Sequence, residues 1–280
     1  MMEGIGMQAE KKYKVALVQM DSGIDKEKNL EKAVSAIRKA TAQGAKLICF
    51  PELMNGEGKE KTVLQMAEGL EEKTISILKA EAKNCNVYIH SGSMYEKIEG
   101  EQRVYNTSVL LSPEGKLLTS YRKLHMFDMT LSDGVICAES KIVKPGDKIV
   151  TIQTTLGKIG CAICYDIRFP ELFRKMALEG AQIIIVPASF TLSTGKDHWE
   201  TLLRARAIEN SCYIIATDQI GKKLNYTAFG SSMVIDPWGT VLSRAGEHED
   251  IVYAEINLEY EKSVRMQMPA LQNRRNDLYE

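Results

Sequence analysis

Short runs of β-branched and apolar residues alternate along this chain with stretches in which apolar positions recur every three or four residues. The runs at 14–20, 46–51, 87–93, 106–112, 159–165, 183–187, 213–220, 229–236 and 251–257 predict strands, and the helical periods predict helices at 28–43, 71–83, 171–178, 198–210 and 259–266. In the first helix Leu30, Ala33, Ile37 and Ala40 form one apolar stripe. Strand–helix–strand units begin at residues 14, 46 and 159, which implies parallel crossovers. Ser112-Pro113-Glu114-Gly115 and Asp236-Pro237-Trp238-Gly239 instead read as tight hairpin turns. No Gly/Ser-rich linker or composition break divides the chain. The pattern predicts one mixed α/β domain over 13–260, a flexible extension at 1–12 with Met7 as an alternative start, and a C-terminal tail at 261–280.

With 280 residues, 44% of them hydrophobic and 26% charged, the chain has the composition of a folded globular protein. A chain this long buries roughly three quarters of its unfolded surface, so it needs no covalent staple. A formal net charge of -1 with dispersed Lys and Arg carries no footprint for nucleic acid and no polybasic membrane patch. No uncharged apolar stretch is long enough for a bilayer, and Glu3 and Glu10 break up any signal-peptide pattern. The six cysteines lie scattered in apolar segments rather than in a disulfide framework, and the expected location is cytoplasmic.

Three short segments carry candidate chemistry. In Gly160-Cys161-Ala162-Ile163-Cys164-Tyr165-Asp166-Ile167-Arg168-Phe169-Pro170-Glu171 an apolar strand runs into a cysteine, a polar turn and a helix start. Cys164 at such a junction would gain a rigid backbone and a helix dipole that favours thiolate, and the Tyr165 N–H would be free for a developing oxyanion. Cys161-x-x-Cys164 also reads as a redox pair or half a zinc site. Residues three apart on a strand point to opposite faces, however, and no second Cys pair or His pair completes a metal set. Glu52 follows the apolar strand 47–50 and suits a desolvated general base, although a strand-end acid is commonly just an exposed loop residue. Tyr121-Arg122-Lys123-Leu124-His125 sets basic residues after a hairpin strand. There a lysine can stabilise an oxyanion, or the three can form a solvated face.

Together these segments resemble the nitrilase superfamily of carbon–nitrogen hydrolases. The resemblance runs from about residue 14 to the Asn273-Arg274-Arg275-Asn276-Asp277-Leu278-Tyr279 tail. It includes Val186-Pro187-Ala188-Ser189-Phe190, 194–199, 204–210 and 231–239. It implies a four-layer α-β-β-α sandwich, dimerised through its helices, that needs no cofactor or metal and acts on a small-molecule amide and water. It also implies Glu52 as general base, Lys123 as oxyanion stabiliser, Cys164 as nucleophile, and Glu139 as a second acid that orients the amide.

Within that family the stretches 123–128 and 138–141 are most similar to omega-amidases, which act on alpha-ketoglutaramate and alpha-ketosuccinamate. By the same resemblance Arg168 binds the substrate's far carboxylate, and Phe190 and Thr194 line its pocket. A deaminated glutathione amidase is the alternative, since 169–172 fit that group as well or better. An N-carbamoyl amidase is disfavoured because a cationic substrate gains nothing from Arg168, and a non-catalytic member of the fold because the whole triad is present. Read without the family, Arg168 is also a candidate structural ion pair, Phe190 plain core, and His198 and Trp199 helix anchors. Arg204 and Arg206 lie too close in sequence to share a helix face, so at least one is structural.

Overall fold

The computed structural model describes residues 10–57, 62–130 and 136–279. The first half of the chain forms β1 (Lys12–Gln19), α1 (Lys26–Ala42), β2 (Ala45–Cys49), the single turn α2 (Val63–Met66), α3 (Lys73–Cys85), β3 (Tyr88–His90), β4 (Met94–Lys97), β5 (Val104–Leu111) and β6 (Leu117–Arg122). A small hairpin, β7 (Asp128–Thr130) with β8 (Ile136–Ala138), leads into the second half. That half forms β9 (Thr151–Thr154), β10 (Gly157–Cys161), α4 (Pro170–Leu178), β11 (Ile183–Ala188), the short α5 (Leu192–Thr194), α6 (Glu200–Asn210) and β12 (Tyr213–Asp218). It closes with β13 (Ile220–Lys222), β14 (Thr227–Phe229), β15 (Met233–Ile235), β16 (Val241–Arg244), β17 (Asp250–Asn257), α7 (Leu258–Gln267) and α8 (Asn276–Tyr279).

Two sheets carry the fold. One has the order β17-β1-β2-β3-β5-β4 with β6 also paired to β5, and the other has the order β16-β15-β12-β11-β10-β9. The expected crossovers are there: β1, β2 and β3 run parallel, as do β10, β11 and β12. Both expected turns join antiparallel pairs, β5–β6 and β15–β16. Strand β17 returns to pair with β1 from Lys12↔Asn257 to Gln19↔Asp250, so the two halves share one sheet.

The core explains the uninterrupted apolar run at 183–186. Ile183 and Ile185 pack between the sheets with Val15, Leu17, Leu47 and Ile159, whereas Ile184 and Val186 pack outward with Phe173, Leu203 and Trp199 of the helical layer. A strand covered on both faces has no polar side to show, so its alternation disappears. On the other sheet Ala16, Val18, Ile48 and Phe50 meet the α1 stripe of Leu30, Ala33, Ile37 and Ala40, together with Ile75 and Leu78 of α3. The result is a four-layer α-β-β-α sandwich. Helix α1 starts where Asp25 accepts a hydrogen bond from Lys28 N, and so caps the first turn.

Several boundaries differ from those the sequence predicts. The expected strand 159–165 stops at Cys161, and 229–236 is interrupted where Ser231 adopts a left-handed φ of 56°. The expected helix 198–210 begins as a wider π-turn over Gly195–Trp199 before α6. Strands β4, β7, β8, β9, β13 and β16 have only three or four residues, too few for a periodic signal. Of the expected N-terminal extension, residues 1–9 lie outside the described ones. Residues 10–12 are held in place: Glu10 N donates to Thr155 O at 2.8 Å and Leu258 N to Lys11 O at 2.9 Å. Helix α7 runs through residue 260 and buries Val264 against the body. Among the described residues no helix is long and apolar enough to cross a membrane.

Candidate active site

Parallel strands end at a common edge, and side chains just beyond their carboxyl ends converge there. Glu52 lies three residues past β2, Cys164 three past β10, and Ser189 directly after β11. Lys123 follows β6 directly. This edge gathers every residue in which the sequence suggests reaction chemistry.

Glu52 is a buried acid, not an exposed one, at 4% accessibility. Its Oε1 accepts hydrogen bonds from Asn106 Nδ2 at 2.8 Å and Lys123 Nζ at 3.0 Å, and its Oε2 accepts one from Ser189 N at 2.9 Å. The Glu52 turn is held from below by a close backbone approach. Gly92 has a φ of 69°, and a Cβ there would stand 1.9 Å from the Pro51 carbonyl oxygen. Only glycine allows the β3–β4 connection to pass so near.

Lys123 is almost fully buried and has two acids for partners. Besides Glu52, its Nζ donates to both oxygens of Glu139 at 2.9 Å. Burial alone would lower the lysine's pKa, but Glu139 and then Glu52 outweigh it and hold the ammonium well above its ordinary range. Glu139 also accepts from Phe127 N at 2.7 Å. Burial raises its pKa despite Lys123, and Glu52 pushes the same way. Two carboxylates and one ammonium thus form a single coupled cluster.

Cys164 sits beside this cluster, hydrogen-bonded to Glu52 and to the Ser189 backbone. Its backbone has a φ of 47°, a conformation that costs a non-glycine residue about 1–2 kcal/mol and that surrounding structure must impose. Asp166 imposes it. This fully buried carboxylate accepts from Ile163 N at 2.9 Å, Tyr121 Oη at 2.6 Å, and His125 N at 3.1 Å, with His125 Nδ1 also at 2.7 Å. The same aspartate therefore ties the turn that carries Cys164 to the segment that carries Lys123.

Two expectations about Cys164 need correction. It does not lie at a strand end, since β10 stops at Cys161. It heads a five-residue 3-10 turn, Cys164–Arg168, and α4 begins only at Pro170. The resting sulfur is not a thiolate either. Burial first, then the charge of Glu52, push its pKa well up, and Lys123 offsets them only in part. The residue is a neutral thiol paired with a carboxylate. The opposite-faces argument for Cys161-x-x-Cys164 lapses too, because only Cys161 belongs to a strand; both sulfurs are free thiols. The Tyr165 N–H precedes the turn's first internal bond, from Asp166 N to Ile163 O at 3.0 Å.

The pocket residues form a second group. Arg168 is half-buried, with its guanidinium 5.4 Å from the Phe190 ring centre, 5.7 Å from that of Tyr165, and Nη1 3.3 Å from His198 Nδ1. No carboxylate pairs with it among the described residues, which removes the ion-pair alternative there. Phe190 is buried against Trp199 at 4.9 Å and is held by its N–H, which donates to Asp218 Oδ1 at 2.9 Å. Thr194 is half-buried, and its hydroxyl lies 2.8 Å from that of Thr191. Trp199 anchors its helix through Nε1 to Ser231 O at 3.0 Å. Arg204 and Arg206 are both structural, bonded to the carbonyls of Gly239 and Ile167.

Sequence reading misses Asn106 and Ser189 as partners of Glu52, and Asp166 and Tyr121 as the brace. Asn106 lies unmarked inside a strand pattern. Ser189 and Asp166 stand inside motifs already noted, which was the only available signal.

A family model described as carbon-nitrogen hydrolase matches residues 14–266. The chain is 38% identical over 268 residues to the omega-amidase NIT2 of Homo sapiens, spanning 95% of this chain and 96% of that one. It is 41% identical over 268 residues to a deaminated glutathione amidase of Synechocystis, spanning 94% of this chain and 98% of that one. The crystal structure of the C. elegans NitFhit protein superposes with a TM-score of 0.90 at 34% identity, over 98% of this chain and 67% of that one.

Proposed function

The chain belongs to the carbon-nitrogen hydrolase family, and from that premise we propose that it is an omega-amidase-type thiol hydrolase in which Cys164, Glu52, Lys123 and Glu139 do the chemistry. The observation that carries this reading is the Cys164 thiol hydrogen-bonded to Glu52, with Lys123 Nζ held between Glu52 at 3.0 Å and Glu139 at 2.9 Å.

The reaction proceeds in two halves. Glu52 takes the thiol proton as sulfur attacks the amide carbon, so charge is created only when it is used. The oxyanion accepts hydrogen bonds from Lys123 Nζ and the Tyr165 N–H, donors fixed in a water-poor site. Glu52 then gives its proton to the amide nitrogen, the C–N bond breaks, and ammonia leaves a thioester. Water enters, loses a proton to Glu52 and attacks the thioester carbonyl, with Glu139 orienting it. The sulfur departs and recovers its proton from Glu52, and the carboxylic acid is released.

For the substrate we propose a small omega-amido carboxylate of the alpha-ketoglutaramate or alpha-ketosuccinamate type. Arg168, lacking a carboxylate partner among the described residues, would take the far carboxylate bidentately, with Phe190 and Thr194 beside it. Deaminated glutathione is the second reading, favoured by the 41% identity to an amidase of that name. Ammonia release from alpha-ketoglutaramate, deaminated glutathione, N-carbamoylputrescine, glutamine and a simple nitrile decides between them. Turnover of the nitrile alone would overturn the amidase assignment.

A cytoplasmic homodimer or higher homo-oligomer completes the proposal. Met266, Leu278 and Tyr279 are all at least 66% exposed, and this apolar end suits packing on a second copy. Truncation after Ala270 should lower the native mass by light scattering. An unchanged oligomer would exclude this role for the tail.

A further inference from the structure

Behind the Glu52 turn lies a buried amide that takes no part in the proposed reaction. Gln219 follows β12 directly and is 2% exposed. Its Nε2 donates to the Glu52 carbonyl oxygen at 2.8 Å and to Ser22 Oγ at 2.9 Å, with Leu53 O further off at 3.5 Å. Its Oε1 accepts from Ser22 N at 3.0 Å and from Lys223 Nζ at 2.9 Å. A primary amide offers two donors and two acceptor positions, so this side chain is fully satisfied. Its backbone joins the same support: Gln219 N and Glu52 N both donate to Ala188 O, at 3.0 Å and 3.3 Å.

Lys223, the residue after β13, sets which way that amide points. Only 2% of its side chain is exposed, and its ammonium donates to Asp21 Oδ1 at 2.8 Å, Gln219 Oε1 at 2.9 Å and Ser22 O at 3.2 Å. A lysine has three donors and no acceptor, and all three are used here. Facing this ammonium and the Ser22 N–H, Gln219 must present its oxygen, which turns its NH2 toward Glu52. The group it meets there belongs to a strained peptide unit. Leu53 has a left-handed φ of 52°, which a non-glycine residue keeps only where its surroundings impose it. The N–H of the Glu52–Leu53 peptide donates to Ser93 Oγ at 2.9 Å, and its carbonyl accepts from Gln219. Both polar ends of that one peptide plane are therefore clamped.

We propose that Gln219 and Lys223 are positioning residues for the general base: Lys223 orients the Gln219 amide, and Gln219 locks the strained Glu52–Leu53 peptide so that the Glu52 carboxylate stays against the Cys164 thiol. The inference rests on the amidase reading and deepens it. Both residues act through the backbone of Glu52. A strained peptide released from one clamp relaxes by rotating its plane, and the side chain it carries moves with it. Displacing a proton acceptor by about 1 Å lowers the rate by up to about a hundredfold.

The test uses two substitutions that nearly keep shape. Gln219→Glu retains the oxygen facing Lys223 and Ser22 N but replaces the NH2 that holds Glu52 with a second acceptor. Lys223→Met removes the cation and keeps the length. In variants with parent-like circular dichroism and cooperative unfolding, Gln219→Glu should lower kcat for alpha-ketoglutaramate by about tenfold to a hundredfold, with KM held within about twofold. Lys223→Met should fall between parent and Gln219→Glu. Lys223→Arg, which restores a donor toward Gln219, should recover most of that loss. Parent-like kcat in folded Gln219→Glu overturns the proposal, as does an effect on KM alone or a loss in Lys223→Arg equal to that in Lys223→Met. Alkylation by iodoacetamide, followed by mass spectrometry of the Cys164 peptide, gives a readout that needs no amide turnover: sulfur displaces iodide and its proton passes to Glu52. Slowed alkylation in both variants of a parent that hydrolyses no amide would refute the amidase reading and leave the positioning role standing. Alkylation at the parent rate in variants of an active amidase would do the reverse.

Discussion

The two ends of the proposed active site, reacting and recognition, are built on opposite principles. At the reacting end Glu52 accepts three hydrogen bonds, Lys123 is clamped between two acids, and Asp166 braces both approaching segments. At the recognition end Arg168 has a histidine nitrogen and two ring faces but no carboxylate partner among the described residues. Groups that must stabilise a transition state gain from being fixed beforehand, because nothing then has to reorganise during reaction. A group that must bind a carboxylate gains from lacking one until substrate arrives. Polar satisfaction, taken group by group, thus separates chemistry from recognition.

That contrast can be broken by substitution at either end. The largest effect belongs to Cys164→Ala, which should abolish ammonia release while the unfolding midpoint stays within a few degrees of the parent. Residual turnover would remove the nucleophile. Next comes Lys123→Ala, which deletes an oxyanion donor and should lower kcat by about 10²–10³. It also leaves Glu52 and Glu139 facing each other without their cation, so denaturant unfolding should show a loss of about 3–5 kcal/mol. A stable but inactive variant would mean the cluster is catalytic without being structural.

Arg168→Ala should be gentler and selective. Losing a charge-assisted bidentate contact is worth about 1.5–3 kcal/mol, so KM for amides bearing a far carboxylate should rise roughly tenfold to a hundredfold. Neutral amides should be unaffected, and an equal loss for both would assign Arg168 to the scaffold.

The smallest effect on turnover, read in stability instead, sharpens the comparison from outside the site. Fully buried His90 lies under the Glu52 turn, and burial pushes its pKa down to about 3. An unfolded chain protonates that histidine near pH 6.5. Its contribution is fully present above that value and is lost as pH falls between 6.5 and 3, by on the order of 5 kcal/mol at most. Acid denaturation of His90→Asn should therefore show a shallower slope across that window. An unchanged slope would place the acid sensitivity elsewhere.

Much of this organisation is legible along the chain because it is periodic or local. The α1 stripe, the parallel crossovers, both hairpin turns and the order Glu52, Lys123, Cys164 can all be read there, since backbone geometry repeats every 2 or 3.6 residues. The thiolate expected at Cys164 cannot survive the fold. A local motif shows the turn but not the burial, nor the carboxylate brought to it from 112 positions earlier in the sequence.

The sequence alone determined the layered α/β architecture and the residue types proposed to carry the chemistry. The tertiary structure decided the protonation state of the thiol, the pairing of Lys123 with two acids and the brace through Asp166. These depend on distances between segments far apart in sequence and on the low dielectric they create together, and neither quantity is written in any local run of residues.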